Sequence, residues 1–565
     1  MSRSLSSLAL VCAVSFTFGC SAQSGGAAKG GASGSAGQGA GGDAGSDAGG
    51  FGNSNSGGGL NVDASVGGSG GDSDNPETCD EARAQRSYIG CDFWPTVTFN
   101  PVYTNFDFAV VVANGGKETA EVSVTRGGNS VTSVSVAAGT LASIPLPWVD
   151  ELKGPMFDAQ TTGGRVNQSV LARAAAYHLT STAPITAWQF NPLEYEKPMS
   201  SCPVTPTYGD GTRCLSVSND AALLLPASAM TGSYRLFGRS AVNGGDAWGS
   251  TPGSYAITAT EAGTQVKVQL SAATASGSGV GAGSAGQTLT FDLEQGDVLE
   301  LLGAWGAFWD EPHADLSGSV VIANHPVQVI ASNALSSVPN ETAGYADHLE
   351  EVVLPGEVLG DDYLVAPPSA PDGRVVGHLV RLYGNVDGTQ LSYPGSTPPS
   401  GAPTSIDAGQ VVELGPLSEA FRVSGSQPFG VGSFMLGGTL QDPSGNDVET
   451  RGDPAFSVLV TPKQFRRQYT FLAPADYLEN YADILLEEGT QITLDGNALS
   501  ASPVAIGTTG WSVVRVLLDA TGAGAHRLES DRPVGLQVMG FGHATSYYYP
   551  GGLNLELISE PPVIK

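Results

Sequence analysis

The sequence predicts an all-β protein of four tandem β-rich repeats, each of about 100 residues and each long enough to close a β-sandwich. Three observations carry this. A hydrophobic phrase recurs four times, as YHLTSTAPITAWQF (177–190), GSVVIANHPVQVIAS (318–332), FRVSGSQPFGVGSFM (421–435) and HRLESDRPVGLQVMG (526–540). Each copy is an alternating apolar run, a polar turn ending in Pro (Pro184, Pro326, Pro428, Pro533) and a second alternating run, the period-2 signature of strand–turn–strand. Composition agrees: charged residues are only 14%, glycines number 77, and the alternating runs are rich in Val, Thr, Tyr and Phe. No long apolar stripe of period 3.6 appears, so few helices are expected. A propeller-like closed ring is the alternative to an array of sandwiches, since short strands in even sets also build blades.

Taken in chain order, residues 1–20 read as an export signal. Arg3 supplies the positive start, 5–18 is an apolar stretch too short to span a bilayer, and Thr17-Phe18-Gly19-Cys20 resembles a lipoprotein processing site with Cys20 as the acylated residue. Ordinary secretory cleavage near Ala22 is the alternative. Residues 21–76 are Gly, Ala, Ser and Asp with almost no larger apolar side chain, a composition that cannot offset its own ordering entropy. As a flexible tether it would reach roughly 40 Å. The protein is therefore expected at the outer membrane or cell surface, touching the membrane only through a lipid, or else secreted.

The repeats follow as 77–217 (irregular, cap-like), 218–340, 341–450 and 451–565. Ahead of three of the Pro phrases lies a strand, a Gly-Thr turn and another strand, as in SYAITATEAGTQVKVQL (254–270) and ENYADILLEEGTQITLDG (479–496), with a looser first copy at 108–124. Three copies open with a strand ending near Pro: AALLLP (221–226), EEVVLP (350–355) and FSVLVTP (456–462). Of the cysteines outside the signal, Cys79/Cys91 and Cys202/Cys214 form two pairs of equal spacing. Two local disulfides are the economical reading, each stabilising by about 2–3 kcal/mol in the chain-entropy account. Zinc is the alternative, without CxxC spacing or a His cluster in its favour.

A formal net charge of −30 repels phosphate backbones and anionic bilayers, which excludes nucleic acid as the natural partner. Four constellations bear on function. Asp347-His348-Leu349-Glu350-Glu351 is the densest ionisable set; in a strand it puts His348 and Glu350 on one face and Asp347, Leu349 and Glu351 on the other. A general base with a carboxylate partner is one reading, and a half-exposed strand start with a hydrogen-bonded His is the favoured one. Asp442, Asn446, Asp447 and Glu449 gather hard oxygen ligands in a Gly-containing loop suited to Ca²⁺, against a plain acidic turn. Arg451-Gly452-Asp453 reads as a turn rather than an adhesion tripeptide. Trp305, Trp309 and Tyr548 are the candidates for an exposed aromatic platform, with core packing and sheet closure as the competing roles. Two textual matches carry nothing: Gly281, Gly283 and Gly286 precede a strand instead of a helix, and the GxSxG at 67–71 lies in the tether.

CDFWPT (91–96), SNDAALLLP (218–226), DLSGSVVIANHPVQV (315–329), YADHLEEVVLP (345–355), YTFLAP (469–474) and TSYYYPGG (545–552) resemble the N-terminal domain of IgGFc-binding proteins. That domain also occurs in bacterial secreted and lipoprotein sequences, many of them myxobacterial. The resemblance covers nearly the whole folded body. It implies a binding role and identifies no binding residues; the family name comes from an animal mucus protein that binds the Fc region of IgG. The cysteine-rich von Willebrand type D modules of the animal proteins have no counterpart here. The expected function is a surface-anchored, non-catalytic adhesion or binding protein whose partner is an extracellular protein or glycan. A secreted hydrolase or metal enzyme centred on 347–351, and a self-associating envelope protein, are the alternatives.

Overall fold

In the computed structural model the described residues are 75–156, 168–203, 211–216, 218–240, 251–305, 313–340, 343–446, 449–518 and 524–565. They belong to one compact unit, Gly70–Lys565. Secondary structure is overwhelmingly antiparallel strand. The first α-helix, Cys79–Gln85, starts at a capping box in which Thr78 and Glu81 satisfy each other's backbone N–H groups. It is tied to the first strand by the Cys79–Cys91 disulfide; Cys202–Cys214 forms the second bridge.

Each Pro phrase becomes a long strand, or a strand pair, whose two halves pair with different partners: Tyr177–Phe190, Val320–Ser336, Phe421–Gly425 with Phe429–Met435, and Gly524–Gly542. The second repeat shows the plan. The first half of Val320–Ser336 pairs with the opening strand Thr231–Arg235 and with Thr264–Gln269. Its second half pairs with Gly253–Ala259 and with Asp347–Val352. Around Asn324–Pro326 the ladder is interrupted, the long strand is partly exposed, and pairing passes to the other sheet. Local disruption of this kind is how antiparallel strands turn a sandwich corner.

The strand that closes each repeat is the segment the sequence pattern places at the opening of the next. Ala221–Leu223 pairs with the long strand of the first repeat, Asp347–Val352 with that of the second, Phe456–Val458 with that of the third and Thr545–Pro550 with that of the fourth. The four closing strands meet in a cycle: the first touches the second and fourth, and the third touches the same two. The sandwich-like repeats therefore close on one another around these strands.

Burial follows from that closure. All six residues of Asp347–Val352 and of Thr545–Pro550 are buried, because neighbouring repeats cover both of their faces. One continuous apolar core runs through the body from Tyr88 to Leu555, while the third repeat keeps a second cluster around Val380, Leu382, Phe421 and Phe429. Aromatic side chains bridge the first and last repeats, with Trp188 against Tyr549 and Phe190 against Tyr547, both at 6.2 Å between centroids. The end of the chain straps this junction: Tyr88 N–H donates to Leu553, Leu555 N–H to Arg86 and Ile558 N–H to Glu357.

Candidate functional site

The starts of the closing strands converge on a buried polar hub. Asp220 comes from the first repeat, Asp347 from the second, Asp453 from the third, and Thr545 and Ser546 from the fourth. Asp220 uses one carboxylate to hold backbone N–H groups of two other strands, Glu350 at 2.9 Å and Phe456 at 3.3 Å. Asp347 accepts from Asn219 N–H at 2.6 Å, His348 N–H at 2.8 Å and the Thr545 hydroxyl at 3.2 Å. Asp453 N–H donates to Ser546 Oγ at 2.9 Å. The closing strands pack side by side without a backbone ladder, so these side chains supply the partners that a ladder would.

Among the described residues, no ion pair joins Asp220, Asp347, Asp453 or Glu351 to a cation. Burial pushes all four carboxyls well above the usual range, and the charge of Asp347 adds to the effect at Asp453. Glu351 Oε2 and Asp453 Oδ1 are buried without a hydrogen-bond partner among the described residues.

The 347–351 segment divides between its two faces as strand geometry requires. His348 and Glu350, 3.4 Å apart, face the first repeat. There Thr98 donates to Glu350 at 2.5 Å, Gln189 at 2.8 Å and Asn191 at 3.1 Å. The expectation of a half-exposed strand start is corrected: His348 and Glu350 are both 0% exposed. The strand is not an edge but the wall between two repeats, and the Glu350 carboxylate is taken up by side chains that sequence alone does not bring to it.

Outside the hub lies a surface network that begins two residues before Asp453, at Arg451. Arg451 donates to Glu479 at 2.5 Å, Asp372 at 2.7 Å and Asp442 at 3.0 Å. Arg374 reaches the Gln441 carbonyl at 2.6 Å. Burial raises the Asp442 carboxyl, and the hydrogen bonds from Arg451 and Ser444 outweigh it, holding the group down at about 2. The Cys202–Cys214 hairpin joins this network through Arg213, which pairs with Glu449 and, at 3.4 Å, with Glu196. Three exposed aliphatic side chains, Val375, Leu440 and Leu478, flank it in sequence beside Arg374, Gln441 and Glu479.

The Ca²⁺ reading of this loop meets a specific geometry. The Asp442 carboxylate faces Arg451 and that of Glu449 faces Arg213; Asn446 is exposed, and Asp447 lies outside the described residues. Guanidinium groups thus stand where a cation would have to. Asp453 is buried, so Arg451-Gly452-Asp453 presents no accessible acidic group. Tyr548 is corrected as an exposed aromatic: it is 1% exposed, packed with Met435, Tyr481, Met539 and Phe541 between the third and fourth repeats. Trp305 is partly buried against the core, 5.0 Å from the His313 ring, and Trp309 lies outside the described residues. Cys20 does too.

The sequence marks Asp453 only as part of a turn and does not single out Asp220, Thr98, Gln189 or Asn191 as hub residues. A signal for the first two exists: an aspartate stands just ahead of the closing strand in SNDAALLLP, ADHLEEVVLP and GDPAFSVLV.

No curated protein matches the chain. Among solved structures, an anti-sigma factor domain-containing protein aligns at 9% identity over 58% of this chain and 98% of its own, with a TM-score of 0.10, too low to support any argument. The family model described as IgGFc binding protein matches residues 220–540, which include Asp220, Asp347 and Asp453 of the hub, the Arg451 cluster and the last three Pro phrases. With more than half of its length matched, the chain belongs to the IgGFc binding protein family.

Proposed function

We propose that this protein is an exported, surface-displayed binding protein that holds an extracellular protein or polysaccharide against the loop-bearing end of its ring and catalyses no reaction. Cys20 would carry the lipid and residues 21–76 the tether. The observation that carries the reading is the meeting, at one end, of two segments in which the repeats differ most: the Cys202–Cys214 hairpin and the 442–453 loop, joined through Arg213 and Glu449. Loops fixed on a rigid β scaffold are where binding proteins place recognition. The His348 and Glu350 pair, the catalytic candidate of the 347–351 segment, is sealed in the hub and hydrogen-bonded to Thr98, Gln189 and Asn191. The family description names IgG Fc; the ligand class proposed here is the wider one of extracellular proteins and glycans.

The test is capture from native cell-surface extract with residues 75–565, compared with the same body carrying Leu440→Ser and Leu478→Ser. Both side chains are exposed, so the fold should be unchanged. A specific ligand should be enriched by the parent and lost by the variant. Equal recovery by both would sink the proposed face. Turnover of a polymer that Glu350→Gln abolishes would sink the non-catalytic reading.

A further inference from the structure

The four repeats differ in how they protect the outer edge of one sheet. In every repeat that edge is the strand beside the second strand: Leu141–Leu146, Val298–Leu302, Val411–Leu417 and Trp511–Leu518. Equivalent positions follow from the ladder. The sixth residue after each repeat proline is Phe190, Ser332, Phe434 or Met539. It pairs with Ala109, Ser254, Leu379 or Tyr481 on the second strand. These in turn face Pro145, Leu302, the bulge holding Pro416, and Leu517.

Proline at this place removes the donor that an incoming strand would use, a standard protection of a sheet edge. The first and third repeats have it. The second repeat is protected differently: a strand donated by the preceding repeat, Ser169–Ala172, runs antiparallel along Val298–Leu302. There Leu302 N–H points outward to Ser169 Oγ at 3.0 Å, and the Leu302 carbonyl accepts from Ala275 N–H at 2.9 Å. The outward direction of that amide explains why proline is tolerated at the same place in the sibling repeats.

The fourth repeat has neither device. Val504–Ala505 pairs only with Val513 and Ser512, and among the described residues no strand pairs with the outer edge from Val514 to Leu518. The edge is Val-Val-Arg-Val-Leu-Leu (513–518), and its one charge, Arg515, is turned onto the Pro367 carbonyl at 2.7 Å. Leu517 is 60% exposed. The third repeat cannot donate a strand as the first does, because only residues 418–420 separate its edge strand from its Pro phrase. Beside the open edge lies a groove of about 200 Å³, whose apolar wall is Leu486, Ile492, Leu499, Ala501, Pro503 and Val514.

We propose that the Val514–Leu518 edge is a strand-addition site. It takes an extended aliphatic segment of another polypeptide, bound antiparallel as Ser169–Ala172 is bound in the second repeat, with an inward side chain in the groove. Main-chain hydrogen bonds would give the affinity and the groove the selectivity. The orientation and residue type come from the donated strand; the Gly/Ala/Ser/Asp composition of 21–76 makes this chain's own tether an unsuitable occupant. The site is separate from the loop-bearing end and stands whether or not that end binds a ligand.

The probe is a synthetic peptide of the donated strand's own sequence, Gln168 to Arg173, added to the tether-free body at millimolar concentration. Amide hydrogen exchange is read at 514–518. The peptide should slow exchange at the outward-pointing Arg515 and Leu517 amides at least several-fold, and the same peptide with Pro in place of Val170 should not. Leu517→Pro, which installs the sibling repeats' solution, should abolish the slowing and leave the thermal midpoint unchanged. Leu517→Lys, an edge-guarding charge that keeps the amide, should weaken it and serves if the proline variant does not fold. The proposal is overturned if the peptide leaves exchange unaltered, or if Leu517→Pro and Leu517→Lys both retain full slowing. It is equally overturned if the edge is already protected without peptide in a concentration-dependent way and light scattering shows a dimer, since the occupant would then be a second copy.

Discussion

Asp347→Asn should stabilise the protein at neutral and alkaline pH and leave its stability near pH 4 unchanged. The Asp347 carboxyl is fully buried, and burial drives its pKa well up. A carboxyl raised in the folded state contributes its full stability below the ordinary pKa of about 4, and that contribution is lost as pH rises towards the folded value. The loss is about 1.4 kcal/mol per pH unit for each such group, so a carboxyl still protonated at pH 7 costs about 4 kcal/mol. That figure is the ceiling on what asparagine can gain. The hydrogen bonds to Asn219, His348 and Thr545 can survive the exchange. An amide oxygen can accept from the Asn219 and His348 N–H groups that Oδ1 now holds. An amide N–H₂ at the Oδ2 position can donate to the Thr545 hydroxyl, which rotates to suit. The substitution also removes the charge that raises Asp453. Urea unfolding of residues 75–565 at pH 4, 7 and 9, followed by tryptophan fluorescence, reads the effect. A gain of up to about 4 kcal/mol at pH 7, no smaller at pH 9 and absent at pH 4, is expected. A loss of equal size at all three pH values would refute the reasoning, because it would show that hydrogen-bond geometry, not the proton, governs the hub.

Two further substitutions separate the surface network from the core. Arg451→Ala leaves the nearly buried Asp442 carboxylate without its main partner and should cost about 2–4 kcal/mol in the same assay at pH 7. Asp442 is depressed to about 2, so its contribution is present above the ordinary carboxylate pKa and lost as pH falls. The parent's stability should therefore fall between about pH 4 and pH 2 by more than the variant's does. Tyr548→Ala opens a cavity between the third and fourth repeats and should cost about 3–5 kcal/mol, with ligand capture by the surviving folded protein unchanged.

The strands were legible because their signal is local. Alternation in SYAITATEAGTQVKVQL places Gly253–Ala259 and Thr264–Gln269 to within a residue or two. Cysteine spacing likewise anticipates both bridges. Which strand partners which was less legible. AALLLP, EEVVLP and FSVLVTP each stand between two Pro phrases, and alternation says nothing about whether a strand pairs backward or forward. Their near-continuous apolar runs were the available clue, since a strand buried on both faces loses its alternation. For the same reason Tyr548 could be offered as an exposed aromatic, when the neighbouring repeat covers the second face of its strand. The hub was illegible in a different way. Thr98, Gln189 and Asn191 reach Glu350 across more than 150 residues of chain, and nothing local in their sequence marks them as its partners.

The central claim is that the four repeats fold as one body around a hub in which the 347–351 segment is structural. Scanning calorimetry of residues 75–565 tests it most directly. Closure through shared closing strands and a shared core predicts a single cooperative transition, with the calorimetric enthalpy equal to the van't Hoff enthalpy. Two or more resolved transitions, with a calorimetric enthalpy well above the van't Hoff value, would show that the repeats are independent sandwiches and would contradict the account.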